Sequence, residues 1–132
     1  MKTGNNMNYT DIELLEGLSR YGYVDGTDIP VLGFQDSRIQ EIRSIIRSFI
    51  KPGRVFDSEI KSGYITESVN RLCRADDFWG SGDYSDGEVI KAFVKEGYKG
   101  RRVKNYVIFG LNKDGIAKLR SKANQIERAK RN

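Results

Sequence analysis

The chain has 132 residues with a formal charge of +5, and its 7 Tyr, 6 Phe and 1 Trp sit within a 38 % hydrophobic composition, the profile of one domain folding around a core rather than a disordered chain. Histidine is absent, which excludes Ser-His and Cys-His nucleophiles and the commonest zinc sites. Cys73 is the single cysteine, which excludes an intrachain disulfide or a cysteine metal cluster and points to a reducing, cytoplasmic setting.

Residues 1–7 read as a flexible N-terminus before a single domain spanning residues 8–130. No secretory leader or 18-residue apolar run is legible, so no membrane association is expected. Thr10-Asp11-Ile12-Glu13 has the form of a capping box and predicts a first helix, with Leu14, Leu15 and Leu18 inward and Gly22 as its end. Residues 23–33 are turn-rich around Asp25-Gly26 and Pro30. There Ile29, Val31, Leu32 and Phe34 suit an edge strand or a core plug.

The clearest helix opens at Asp36 or Ser37. Ile39, Ile42, Ile45, Ile46, Phe49 and Ile50 recur at helical spacing until Pro52-Gly53. Arg38, Arg43 and Arg47, lying between them, are expected in solvent. Residues 55–74 predict two short helices meeting at Gly63. Asp57 or Ser58 opens the first, and Thr66 caps the second, whose Val69, Leu72 and Cys73 share one side. Cys73 reads there as a small apolar side chain.

The pattern breaks at residues 74–86, where aspartates surround Phe78, Trp79 and a Gly80-Ser81-Gly82 turn. Ser85-Asp86-Gly87-Glu88 is a second capping box. It opens a helix with Val89, Ile90, Phe93 and Val94 on its apolar face, Lys91 and Lys95 opposite, and Gly97 as its stop. The β-forming run 105–109 needs a near partner, so residues 98–103 supply the other arm of a hairpin. Asn112 caps a C-terminal basic helix over 112–131. Ile116, Leu119, Ala123 and Ile126 make a short seam there, suited to internal packing or a homodimer.

Charge is distributed unevenly. Residues 99–132 hold 11 basic and two acidic side chains, a local +9, while the first 98 residues carry −4. Such asymmetry selects a polyanionic partner, nucleic acid above all. Lys99, Arg101, Arg102 and Lys104 on a glycine-flexed hairpin suit a phosphate backbone, with Tyr98 and Tyr106 placed to pack on sugar. The same cations would also guard a sheet edge against aggregation.

Two other groupings carry chemistry. Asp76, Asp77, Asp83, Asp86 and Glu88 have the composition of a Mg²⁺ site for phosphoryl transfer. Helix capping accounts for Asp86 and Glu88, however, and no EF-hand spacing, phosphate-binding glycine loop or nucleophile elbow is present. No catalytic residue, metal or cofactor is therefore expected. Phe78 and Trp79, rimmed by Asp76 and Asp77, have the make-up of a protein-binding hot spot.

Residues 57–72, with Gly63 at the turn and Val69 six positions later, resemble a helix-turn-helix segment. Residues 106–116, an aliphatic strand running into a polar cap and a final helix, resemble the exit from the wing of a winged-helix domain. The similarity covers about residues 55–120, with the helix-turn-helix-like part at 55–111. Ile65 departs from it, standing where a small capping residue is usual, and so does the extra helix at 86–96. The stretch 84–93 is similar to segments of small phage and plasmid proteins.

The resemblance implies a mainly helical α+β fold, winged-helix-like, with a basic β-hairpin and a C-terminal helix. It implies a non-catalytic regulator that binds double-stranded DNA, from a phage or other mobile element acting in the host cytoplasm. Lys91 and Lys95 on helix 86–96, or Asn70, Arg71 and Arg74 on helix 66–75, would face a groove while the wing holds phosphates. The alternative is a phage-encoded, anti-CRISPR-like inhibitor docking on a host defence or nucleic-acid-handling protein. A metal-dependent nuclease is the third reading.

Overall fold

The computed structural model describes residues 11–23 and 33–131. These form an α+β arrangement of five α-helices and two small antiparallel sheets. Ile29, Val31 and Leu32 lie outside the described residues.

The first helix is shorter than its apolar pattern suggests. Helix α1 spans Asp11–Leu15 and stops at Gly17, whose φ of 72° is left-handed. Leu18 then belongs to a small hairpin, β1 (Leu18–Ser19) against β2 (Gly22–Tyr23). Its turn is closed by the Ser19 hydroxyl, which donates to the Gly22 carbonyl and accepts from the Tyr21 N–H. Serine side chains compete with helical hydrogen bonds in this way.

Helix α2 (Asp36–Phe49) follows the isoleucine period, burying Ile39, Ile42, Ile45 and Ile46. Beyond it the expected short helix at 57–62 is a strand, β3 (Pro52–Lys61), and the helix-turn-helix expectation at 57–72 falls with it. Long-range pairing decides this. Tyr106–Leu111 (β5) needs a second partner, and Pro52, with no N–H to donate, suits the start of an edge strand. The ten residues from Pro52 to Lys61 oppose only the stretch from Leu111 to Ile108, so β3 bulges twice. Gly63 lies inside the next helix, α3 (Ser62–Ala75), rather than at a turn. Thr66 is not a cap, since its hydroxyl bonds back to the Ser62 carbonyl within α3.

A short 3₁₀ turn at Asp77–Trp79 and a polar loop lead to α4 (Asp86–Lys95). The capping box at its start is present. Its end is a Schellman motif, with Gly97 N–H on the Val94 carbonyl and Tyr98 N–H on the Phe93 carbonyl. Strand β4 (Gly100–Val103) and β5 form the expected hairpin, and the sheet order is β3-β5-β4. Asn112 caps the last helix, α5 (Asp114–Arg131), by accepting from the Asp114 N–H.

One side of the sheet faces the core through Val107, Phe109 and Leu111, with Phe109 stacked on Phe93. The seam on α5 is internal. Ile116, Leu119 and Ala123 are buried, Ile126 packs against the same core, and α5 runs along α3 through Arg71–Asn124 and Arg120–Glu67 bonds. The homodimer expected through this seam loses its surface to that intramolecular packing. Among the described residues no helix is long and apolar enough to cross a membrane.

Close backbone approach explains Gly87, in the first turn of α4. A Cβ there would overlap the Ser19 carbonyl oxygen of the β1–β2 hairpin. Gly87→Ala, which in an exposed helix would stabilise by up to about 1 kcal/mol, is expected here to destabilise by about 1–3 kcal/mol through overpacking. Urea denaturation decides the sign.

Candidate nucleic-acid interface

The β4–β5 hairpin turns at Lys104, whose φ is 56°, and its register places Arg101 opposite Ile108 and Arg102 opposite Val107. Alternation then separates the two arginines. Arg102 shares the core-side face with Val107 and reaches the N-terminal hairpin. Its guanidinium carbon lies 3.7 Å from the Tyr23 ring centroid, and its nitrogens donate to the carbonyls of Lys104 at 2.9 Å and Glu16 at 3.4 Å. Arg101 shares the outer face with Ile108 and stacks over Phe56, 4.1 Å from the ring centroid. Lys99 and Lys104 are exposed at either end of the β4 arm. Arg102, Lys104, Asn105 and Tyr23 together line a cleft between the hairpin tip and β2.

The other expected cations are not brought to this hairpin as one patch. Arg71 and Arg74 stand nine and twelve residues along α3 from Ser62, about 14–18 Å along the helix axis. Arg71 bonds Asn124 at 2.6 Å and lies 3.7 Å from Glu127, whereas Arg74 is exposed. Asn70 is buried: its amide donates to the Tyr84 carbonyl at 2.9 Å and accepts from the Tyr84 N–H at 2.8 Å, so it fixes the loop before α4. Tyr98, expected to pack on sugar, is also buried and donates its hydroxyl to the Ile50 carbonyl.

Helix α4 buries seven of its ten residues, with α2 on one side and the N-terminal hairpin across Gly87. Lys95 is exposed, and Lys91 is half-buried with its ammonium 4.3 Å from the Phe34 ring centroid. The accessible part of α4 is therefore narrow and runs through Asp86, Lys91 and Lys95.

The arginines of α2, expected in solvent, take part in the α2–α4 packing. Arg38 donates to both carboxylate oxygens of Glu88, at 2.6 and 3.0 Å, and Arg43 and Arg47 both reach Glu96. Glu88 is only 1 % exposed. Burial alone would raise its pKa, but the bonds from Arg38 and from the Ser85 N–H outweigh it and hold the carboxyl below the ordinary range. Glu41 behaves similarly: burial opposes its ionised form, while hydrogen bonds from Tyr84 and Ser81 win and lower its pKa.

The remaining candidates are positioned as follows. Asp76 accepts from the Phe78 N–H, and Glu88 is held by Arg38, so two of the five carboxylates considered for Mg²⁺ are engaged in the fold. Among the described residues no three Asp, Glu or Cys side chains are grouped to hold a metal ion. Burial pushes the Cys73 thiol up to about 11, away from the thiolate that nucleophilic chemistry needs. Trp79 is half-buried against Phe49, with ring centroids 5.1 Å apart, and Phe78 is 81 % exposed and meets Trp79 edge-on.

Two residues beside the hairpin escaped the sequence reading, Phe56 and Lys61, because residues 55–74 were expected to form two helices rather than part of a strand. The β-forming pair Val55-Phe56 was the one available signal. Comparison with protein-family models, with curated proteins and with solved structures gives no match to this chain.

Glu88 has a lowered folded pKa, so the stability it adds is present above the ordinary carboxylate value of 4.5 and fades as pH falls through the folded value. Glu88→Gln is expected to cost about 3 kcal/mol at neutral pH, since it removes the charge of the carboxylate that accepts both Arg38 bonds. The gap to the wild type should close on acidification, which urea unfolding across pH would reveal. A gap independent of pH would mean that Glu88 is not ionised in the fold.

Proposed function

We propose that this is a non-catalytic nucleic-acid-binding protein of winged-helix type, whose contacts run through the β4–β5 hairpin. The fold assignment is supported by the order α2, β3, α3, α4, β4, β5 and by the sheet order β3-β5-β4, the arrangement of a winged helix with β4–β5 as its wing. The observation that carries the function is the clustering of Lys99, Arg101, Arg102 and Lys104 along one hairpin arm, inside a C-terminal third with a local charge of +9. Phosphate contacts from such an arm give affinity without requiring a helix in a groove, which suits the burial of α4. A regulatory role belongs to this same reading, and the resemblance of residues 84–93 adds to it only a phage or plasmid source.

Binding of a labelled nucleic acid should weaken steeply with salt. Lys99→Ala and Lys104→Ala change side chains that are exposed, so the fold should persist. Each should reduce the slope of log K against log salt by about 0.7–0.9. Unchanged affinity and slope in the double variant would sink the hairpin as the contact surface. Arg102 is unsuited to this test because it also holds the N-terminal hairpin.

A second reading is an inhibitor of a host defence or nucleic-acid-handling protein, and the exposure of Phe78 favours it. Phe78→Ser should leave stability within about 0.5 kcal/mol and, on this reading, abolish binding to the target. Nucleic-acid affinity would remain with the hairpin.

A further inference from the structure

Arg101 and Phe56 belong to a larger surface, the outer face of the three-stranded sheet. Four cross-strand pairs define it: Phe56 opposite Gly110, Lys61 and Arg101 both opposite Ile108, and Val103 opposite Tyr106. Directly opposed residues share a face, and positions 106, 108 and 110 of β5 alternate onto the same one. Two aromatic rings therefore lie along this face, each beneath a cation. The Arg101 guanidinium sits 4.1 Å from the Phe56 centroid, and the Lys61 ammonium 4.9 Å from the Tyr106 centroid.

This face is open. Lys61 and Val103 are exposed, Phe56, Arg101 and Tyr106 are half-buried, and the helix contacts of the sheet lie on its other side through Val107 and Phe109. Among the described residues, the paired positions of this face carry no acidic side chain. Asp57 and Glu59, from the bulged part of β3, line a separate cleft with Tyr64 and Lys113. Phe56 lies over Gly110, where a Cβ would come within 2.9 Å of its ring, so the ring is seated firmly on the sheet. Phe56 and Tyr106 are offset by four residues of β5, about 13 Å.

We infer that the outer sheet face, with Phe56 and Tyr106 as stacking platforms and Lys61 and Arg101 as phosphate contacts, binds single-stranded nucleic acid in preference to duplex. The inference rests on the nucleic-acid reading above and specifies its substrate. Bases buried in a duplex present no free π-face, whereas an unpaired base stacks on an aromatic ring or on a planar guanidinium. As a base settles on Tyr106, the Lys61 ammonium above it moves to the adjoining phosphate and exchanges a cation–π contact for a charge-assisted one. Helix α4 buries seven of its ten residues and offers a duplex groove only Lys91 and Lys95 as accessible cations.

Fluorescence anisotropy of the full chain with a labelled thymidine strand of about 20 nucleotides, and with a mixed-sequence duplex of the same length, tests this. The single strand is expected to bind at least tenfold more tightly. Phe56→Leu keeps apolar bulk over Gly110, and Tyr106→Leu keeps bulk at the hairpin base. Each should weaken single-strand binding about tenfold, the value of one stacked base, while duplex binding changes little and circular dichroism confirms the fold. Equal or tighter duplex binding, or single-strand affinity indifferent to both leucine variants, would overturn the inference and leave the hairpin reading intact. Binding to neither probe at low salt would overturn both.

Discussion

The Glu88 carboxylate is enclosed by protein, and an ionised group in that position is tolerable only if its oxygens are matched. Arg38 matches both from α2, and the Ser85 N–H adds a third donor from the start of α4. This one cluster therefore fixes how α2 crosses α4 and where α4 begins. The loop entering α4 is locked alongside it, by Asn70 on the Tyr84 backbone and by Glu41 receiving Tyr84 and Ser81. At the other end of α4 the Schellman turn at Gly97 aims the chain into β4, and Tyr98 anchors it to the end of α2. The position of the hairpin follows from constraints set at both ends of α4.

Helix α4 gives most of its surface to α2 and to the N-terminal hairpin, which lies across Gly87 and is held to the β4–β5 hairpin by Arg102 on Tyr23. The cations and rings facing outward lie instead on the sheet, where strand alternation sends Arg101 and Tyr106 away from the core. The sheet thereby presents a basic and aromatic outer face, with Arg101 over Phe56 and Lys61 over Tyr106.

Much of this was legible in the residues. The isoleucine period gave α2, the Ser85–Glu88 box and Gly97 bounded α4, and the run at 105–109 marked β5. These signals are local, since each depends on side chains within a few positions of one another along the chain. The failures share the opposite property. Strand β3 was read as helix because its identity comes from pairing with β5, some fifty residues later, and its two bulges erase the alternation that marks a regular strand. The arginines of α2 read as solvated because Glu88 and Glu96, their partners, are equally distant. Phe56 and Lys61 became visible as part of a surface only once that pairing was known.

The boundary between the two kinds of information is set by range. Amphipathic period, capping residues, glycine stops and the excess of basic side chains after Lys99 are properties of the chain as written, and they specify a histidine-free, mostly helical domain with a basic hairpin. How much of α4 is covered and whether a buried carboxylate is matched depend on groups brought together from forty or more positions apart, whereas which of two adjacent arginines points outward turns on the register of a hairpin whose paired residues lie within nine positions. Cross-strand register and close backbone approach settle those questions, because a one-residue change in register would exchange Arg101 for Arg102 on the outer face.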